Sequence, residues 1–251
     1  MSLRVEHVMG MPIRIDVRDP GVPESAVDEA FAWFRHVDST FSTYKDSSEI
    51  SRLNRGELAR DDASAEVRAI LAECERLREE TGGYFDASAG GSIDPSGLVK
   101  GWSVDRAGEI LEAAGATTFS IYAGGDILTR GYPDPARVWR VGIQHPFVRN
   151  RVAAVVPSND LAVATSGEYE RGAHVLDPHT GAPPEGVLSV TIVGPGLGAA
   201  DAYATAAFAM GLAGPEWTTT LGNGFEALTI LANGSVVSTR GFPRYRTTSN
   251  G

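Results

Sequence analysis

Cysteine occurs once, at Cys74, so no internal disulfide can form. Cys74 falls in an apolar helical row with Val67, Ile70, Leu71 and Leu77 and reads as a buried structural thiol. A catalytic thiol needs an activating neighbour, and none lies near it in sequence. Lysine is almost as scarce: of 22 basic residues only Lys45 and Lys100 are lysines. Against 32 acidic residues the formal charge is −10, which argues against a nucleic-acid partner, since those partners select for clustered cations. No stretch approaches the roughly 18 apolar residues of a membrane span. The chain opens directly on a strand-like pattern, Arg4 to Val17, without a basic start, an apolar stretch or an early cysteine for lipid attachment. The expectation is a soluble, cytoplasmic protein with no membrane span. The five histidines, His7, His36, His145, His174 and His179, show no His-x-x-x-His spacing, which argues against zinc. No Pro/Gly/Ser-rich linker divides the 251 residues, so one domain over 1–251 is expected.

Hydrophobic residues make up 42% and charged residues 22%, enough apolar material for a substantial core. Val5–Met9 and Ile13–Val17 read as two strands joined at Gly10 and Pro12. Val27, Ala30, Phe31, Phe34 and Val37 recur at helical spacing. A polar stretch, Asp38 to Asn54, follows and ends in a short helix. Val67–Leu77 is an amphipathic helix stopped by Thr81-Gly82-Gly83, and a further helix is expected over Lys100–Ala114. Strands are expected at Thr118–Tyr122, Val138–Ile143, Val152–Val156, Leu161–Thr165 and Val187–Val193. Ala199–Gly211 reads as a helix rich in small residues, and Ala227–Leu231 with Ser235–Ser238 as a hairpin around Asn233-Gly234. Helices and strands run in blocks without regular alternation. That predicts an α+β fold, a mixed or antiparallel sheet with flanking helices.

The polar segments are dense in Gly, Asp, Ser and Thr. Asp201 and Thr205 stand four apart on a predicted helix, so a carboxylate and a hydroxyl share one face. Such a pair of hard oxygens suits Mg²⁺, which keeps waters and takes further ligands from phosphates. Ala200, Ala202, Ala204, Ala206 and Ala207 around them indicate close backbone packing, where a buried charge needs a reason. The Ser96–Gly101 segment reads as a Gly-containing loop entering a helix N-terminus, where free N–H groups favour anions and Lys100 adds a full charge. Gly124-Gly125-Asp126 reads as a tight turn.

Taken in order, these segments resemble the ApbE family of FAD:protein FMN transferases. The match is carried by Met9-Gly10, Phe41-Ser-Thr-Tyr44 through Asn54, Tyr84-Phe-Asp86 and Asp94 to Asp105. It continues through Gly124-Gly-Asp126, Thr165-Ser-Gly167, His174-Val-Leu-Asp-Pro178 and Asp201 to Thr205. Two departures stand out: Met11 where the family often has Thr after Met-Gly, and Asp94-Pro-Ser-Gly97 where it commonly has Asp-Leu-Gly-Gly. The resemblance implies that the protein moves FMN from FAD to a Thr or Ser hydroxyl of a flavin-accepting target protein, releases AMP, and depends on Mg²⁺. It implies flavin-nucleotide contacts from Met9, Tyr44, Asn54, Asp86, Gly124, Gly125, Asp126, Thr165, Ser166 and Gly167. It implies Mg²⁺ ligation by Asp201, Thr205 and the backbone carbonyl of Gly97, and catalytic roles for Lys100 and His174. The proton acceptor is His174 or a carboxylate such as Asp177 or Glu168. The sequence does not separate transfer from Mg²⁺-dependent hydrolysis of FAD to FMN and AMP, or from FAD binding without turnover.

Overall fold

A computed structural model describes residues 1–134, 136–148, 151–167 and 175–242. Strands β1 (Ser2–Val8) and β2 (Met11–Val17) lead into helices α1 (Glu24–Phe41), α2 (Glu49–Asn54), α3 (Ala65–Glu80) and α4 (Ser96–Ala113). Strands β3 (Phe119–Ala123), β4 (Asp126–Arg130), β5 (Trp139–Gln144), β6 (Val152–Ser158), β7 (Leu161–Gly167) and β8 (Val187–Gly194) follow. The described chain closes with α5 (Leu197–Ala209), α6 (Gly214–Thr218), β9 (Glu226–Leu231) and β10 (Val236–Ser238). The fold is α+β. Eight strands form one sheet in the order β1-β2-β3-β4-β7-β8-β9-β10, and β5 pairs with β6. Every described ladder is antiparallel, so the sheet carries no parallel pair among the described residues.

Alternation along the strands sorts the core into two layers, because successive side chains point to opposite faces. On β7, Ala162 and Ala164 join the main core with the helices, whereas Leu161 and Val163 join a second cluster with Val141, Ile143, Ala154 and Val156 of β5 and β6. The helices therefore cover one face and the β5–β6 ribbon covers part of the other. The helical rows read from the sequence are the buried ones: Val27, Ala30, Phe31, Phe34 and Val37 on α1, and Val67, Ile70, Leu71, Cys74 and Leu77 on α3. Among the described residues no helix is long and apolar enough to cross a membrane.

The contact that positions the site is between α4 and α5. A Cβ added at Gly101 would lie 2.4 Å from the Leu197 carbonyl oxygen, so the two helices meet backbone to backbone there. Asp105 of α4 reinforces the crossing. Its carboxylate accepts hydrogen bonds from the Leu197 and Gly198 N–H groups, each 2.8 Å away, which satisfies donors that the first turn of α5 leaves open. From the other side the Trp33 indole N–H donates to the Ser103 carbonyl at 3.0 Å and ties α1 to α4.

Candidate active site

Two hairpin turns lie side by side at one end of the sheet. Met9 and Gly10 join β1 to β2 with φ of 56° and 73°, and Gly124 and Gly125 join β3 to β4 with φ of 53° and 101°. Both are two-residue turns with two left-handed residues, the geometry that matches strand twist and that glycine adopts without strain. Because β2 pairs with β3, Ile13 opposite Ala123, the two turns open onto the same space. That space is a cleft of about 1260 Å³. It exceeds the roughly 300–1,000 Å³ of ordinary small-molecule pockets, room for an extended dinucleotide. Its walls are the two turns, the Phe41–Lys45 segment, the Tyr84–Asp86 loop, the end of β7 at Thr165 and Ser166, and the Val175–Pro178 segment. The first turns of α4 and the face of α5 bearing Asp201 and Thr205 form its floor.

Charge is concentrated at that floor. Lys100 Nζ lies 2.7 Å from Asp126 Oδ2 and 3.3 Å from Asp201 Oδ1. The Asp126 contact is an ion pair without an aligned hydrogen bond. Asp126 is fully buried, and its other oxygen accepts the Thr165 N–H at 3.0 Å. Asp201 is 2% exposed, and its Oδ2 has no hydrogen-bond partner among the described residues. Burial pushes the Asp201 carboxyl up to about 7, Lys100 and the Gly101 N–H pull it back, and the nearby Asp126 carboxylate adds to the rise. One turn further along α5, Thr205 Oγ1 stands 3.4 Å from Ser166 Oγ. A Cβ at Gly97 would come within 3.7 Å of that Thr205 oxygen, so the start of α4 adjoins the hydroxyl. An unpartnered buried carboxylate oxygen beside a hydroxyl and a helix-start backbone suits a hard divalent cation. Among the described residues no group of three or more His, Cys, Asp and Glu could hold a metal.

The family model of the ApbE family matches residues 9–93 and 87–229, two overlapping segments that cover most of the chain. The chain belongs to the ApbE family. Its curated relatives include the FAD:protein FMN transferase of Haemophilus influenzae, 26% identical over 272 residues, with 81% of this chain and 79% of the relative covered. That of Treponema pallidum is 36% identical over 143 residues, covering 50% of this chain and 40% of the relative. Among solved structures, the flavin transferase ApbE from Vibrio cholerae superimposes with a TM-score of 0.86 at 23% identity, covering 97% of this chain and 98% of that one. The ApbE protein from Thermotoga maritima gives 0.87 at 22% identity over 98% and 99%. At these identities the structural likeness carries the fold.

With the ApbE motifs placed in space, most converge. Met9, Gly124, Gly125, Thr165, Ser166, Gly97, Lys100, Asp201 and Thr205 all line the cleft. Asp86 lines it too, with Oδ1 accepting the Ser88 N–H at 2.7 Å and Oδ2 facing Arg78 Nε at 3.3 Å. Tyr44 is at the mouth and 96% exposed.

Three expected nucleotide contacts stand off the wall. Asn54 grips the backbone of Ile93, donating to its carbonyl at 2.9 Å and accepting its N–H at 2.7 Å, and so holds the loop before α4. Asp126 sits behind Lys100. Gly167 is paired with Ser189 in the β7–β8 ladder. The expected base, His174, and the alternative Glu168 lie outside the described residues. The other alternative, Asp177, lines the cleft, but its oxygens accept the His179 N–H at 2.9 Å and the Thr180 hydroxyl at 3.1 Å.

The Ser96–Gly101 segment is helical, not a loop: α4 begins at Ser96, and Lys100 stands one turn inside it. Sequence reasoning assigned no role to Asp105 or Gly101. Their signal was the small-residue pattern on α5, which announces a backbone-to-backbone crossing without naming the other helix.

Proposed function

We propose that this chain is a Mg²⁺-dependent FAD:protein FMN transferase that moves FMN from FAD to a Thr or Ser hydroxyl of a partner protein and releases AMP. The observation that carries the reading is the floor of the cleft. A lysine and a carboxylate with an unpartnered oxygen lie at the base of a space large enough for FAD. Asp201, Thr205 and the Gly97 carbonyl are the residues that would hold Mg²⁺. Bound there, the ion would neutralise charge on pyrophosphate oxygens as a Lewis acid.

The chain's own residues supply the rest. Lys100 offers a fixed positive charge where phosphoryl oxygens gain charge, and its burial makes that charge more effective than it would be in water. The turns at Met9–Gly10 and Gly124–Gly125 let backbone approach the ligand closely. Ser166 presents its hydroxyl beside Thr205 on the same wall, while the Thr165 hydroxyl is hydrogen-bonded to that of Thr191 at 3.0 Å. In the transfer, the acceptor oxygen bonds to the FMN phosphorus, the anhydride P–O bond breaks, and AMP leaves with the bridging oxygen. The acceptor's proton goes to a base. The base is His174, with Asp177 and Glu168 as the alternatives; the Asp177 oxygens also accept hydrogen bonds from the His179 N–H and the Thr180 hydroxyl.

The test is intact mass of a Thr-bearing acceptor protein incubated with this chain, FAD and Mg²⁺. The expected result is an acceptor heavier by one FMN phosphoester, with AMP released in step, and no gain for the Thr→Ala acceptor. Rapid AMP release without acceptor, and no labelling with it, would instead support hydrolysis.

A further inference from the structure

The Val175–Pro178 wall of the cleft runs into a loop that is closed on itself. The Asp177 N–H donates to the Ala182 carbonyl at 2.8 Å, and the Gly181 N–H donates back to the Asp177 carbonyl at 2.8 Å. The Asp177 carboxylate accepts the His179 N–H and the Thr180 hydroxyl. Among the described residues, the one hydrogen bond that leaves Val175–Ala182 is made by the His179 ring. Its Nε2 lies 3.2 Å from the Gly82 carbonyl oxygen, and a carbonyl only accepts, so Nε2 carries the proton. The ring also meets Tyr84 edge to face, with centroids 4.6 Å apart and planes at 72°. Gly83 makes room for it: φ there is 90°, and a Cβ would lie 3.0 Å from His179 Cε1. The Gly82–Tyr84 turn follows the end of α3 and leads into the opposite wall, Tyr84–Asp86. His179 does not itself line the cleft, yet it ties together two segments that do.

We propose that His179 is a positioning residue that latches the Val175–Pro178 wall onto the Gly82–Tyr84 turn and so holds the cleft at the width FAD requires. The proposal rests on the FAD reading above. Without the ring, the wall keeps the apolar packing of Val175 against the core but loses its tie to the turn. A wall that spends part of its time swung out lowers the apparent affinity by the fraction of molecules in which it is closed. Both contacts of the exposed ring lie near solvent, so the latch is worth one ordinary hydrogen bond, a factor of about 2–10. Once FAD is bound the ligand itself holds the wall, so the effect falls on binding and not on turnover at saturation.

The experiment is FAD titration by flavin fluorescence, with AMP release followed in parallel, on the wild type, His179→Ala, His179→Gln, Gly83→Ala and the His179→Ala/Gly83→Ala double variant. His179→Ala should raise the Kd and KM for FAD about 2–10-fold and leave kcat near the wild-type value, whereas general loss of folded enzyme would lower kcat. His179→Gln, whose amide can donate to the Gly82 carbonyl, should recover part of the affinity. Gly83→Ala puts a methyl group against the ring and should also weaken binding, but should add nothing in the His179→Ala background. Wild-type FAD affinity in His179→Ala, a loss confined to kcat, or additive losses in the double variant overturns the proposal. If Gly83→Ala does not fold, the His179→Ala and His179→Gln pair decides. Wild-type protein that binds no FAD overturns the functional reading, and the latch is then judged by amide exchange: the Asp177 and Gly181 N–H groups should exchange about 2–10-fold faster in His179→Ala, and unchanged exchange overturns the latch as well.

Discussion

Asp201 and Thr205 share a helix face but not a charge. Replacing Asp201 with Ala removes the only full negative charge on that face. It should lower Mg²⁺-dependent AMP release by roughly a hundredfold or more, the rate equivalent of about 3 kcal/mol of lost charge stabilisation. Thr205→Ala removes a neutral ligand and should lower it less. A melting curve unchanged in both variants would place the losses in the chemistry, and full activity in Asp201→Ala would refute the assignment.

Cys74 and Tyr203 make a different prediction at the same scale. Burial pushes the Cys74 thiol from its ordinary 9.0 up to about 12. Burial, with the hydrogen bond to Glu80, pushes the Tyr203 hydroxyl from 10.0 up to about 12. Each group is neutral when protonated, and the unfolded chain releases these protons first. Stability that is complete below about pH 9 is therefore lost as pH rises toward 12. The denaturation midpoint should fall over that window, and fall less in Cys74→Ala. In native protein at neutral pH a thiol reagent should leave Cys74 unlabelled until unfolding exposes it.

At the scale of elements, the α4–α5 crossing is the joint on which the floor depends. Gly101→Ala places a methyl group against the Leu197 carbonyl. Helices do not part by that much without cost, so stability should fall by about 1–3 kcal/mol. Because Lys100 and Asp201 ride on the two helices, activity should fall further than the melting temperature alone explains. Asp105→Ala strands two N–H groups at the start of α5 and should cost a similar amount, about 1–3 kcal/mol, measurable by denaturant titration.

These same elements mark where the sequence was legible and where it was not. The apolar rows of α1 and α3 were readable because burial on one helix face leaves a 3.6-residue trace. The start of α4 was not. Gly97 and Gly101 are poor helix formers and read as loop, yet they are there for α5 and Thr205, a tertiary reason that no local window contains. Strand β4 was missed because it is five residues long and follows the glycine turn directly. The ordered motifs did locate the cleft. The contacts these side chains make inside the protein, Asn54 with the backbone of Ile93 and Asp126 with Lys100, depend on packing that no motif spells out.

For the whole molecule, the formal charge of −10 predicts how an anionic ligand would arrive. Under the proposed function the substrate is FAD, whose phosphates are negative, and an acidic protein would repel it on approach. Screening lengths fall from about 30 Å at 0.01 M salt to about 8 Å at 0.15 M. The association rate, followed by flavin fluorescence in stopped flow, should therefore rise with salt over that range. A rate that falls instead would mean that a local positive field around the cleft dominates the net charge.

The sheet also joins distant stretches of chain: Val17 of β2 lies opposite Phe119 of β3. On the ribosome this becomes a delay. A lone two-stranded hairpin is marginally stable in water, so β1 and β2 have no lasting partner until β3 has been made. At about 5–20 residues per second that wait lasts on the order of 5–20 s. Until α4 has also been made, the apolar side of α1, with Phe31 and Phe34, lacks the helix that packs against it. The helix bearing Asp201 and Thr205 is among the last described elements to be made. Slow codons between the end of α1 and β3 would lengthen the exposure, while the same codons after α5 would be nearly harmless.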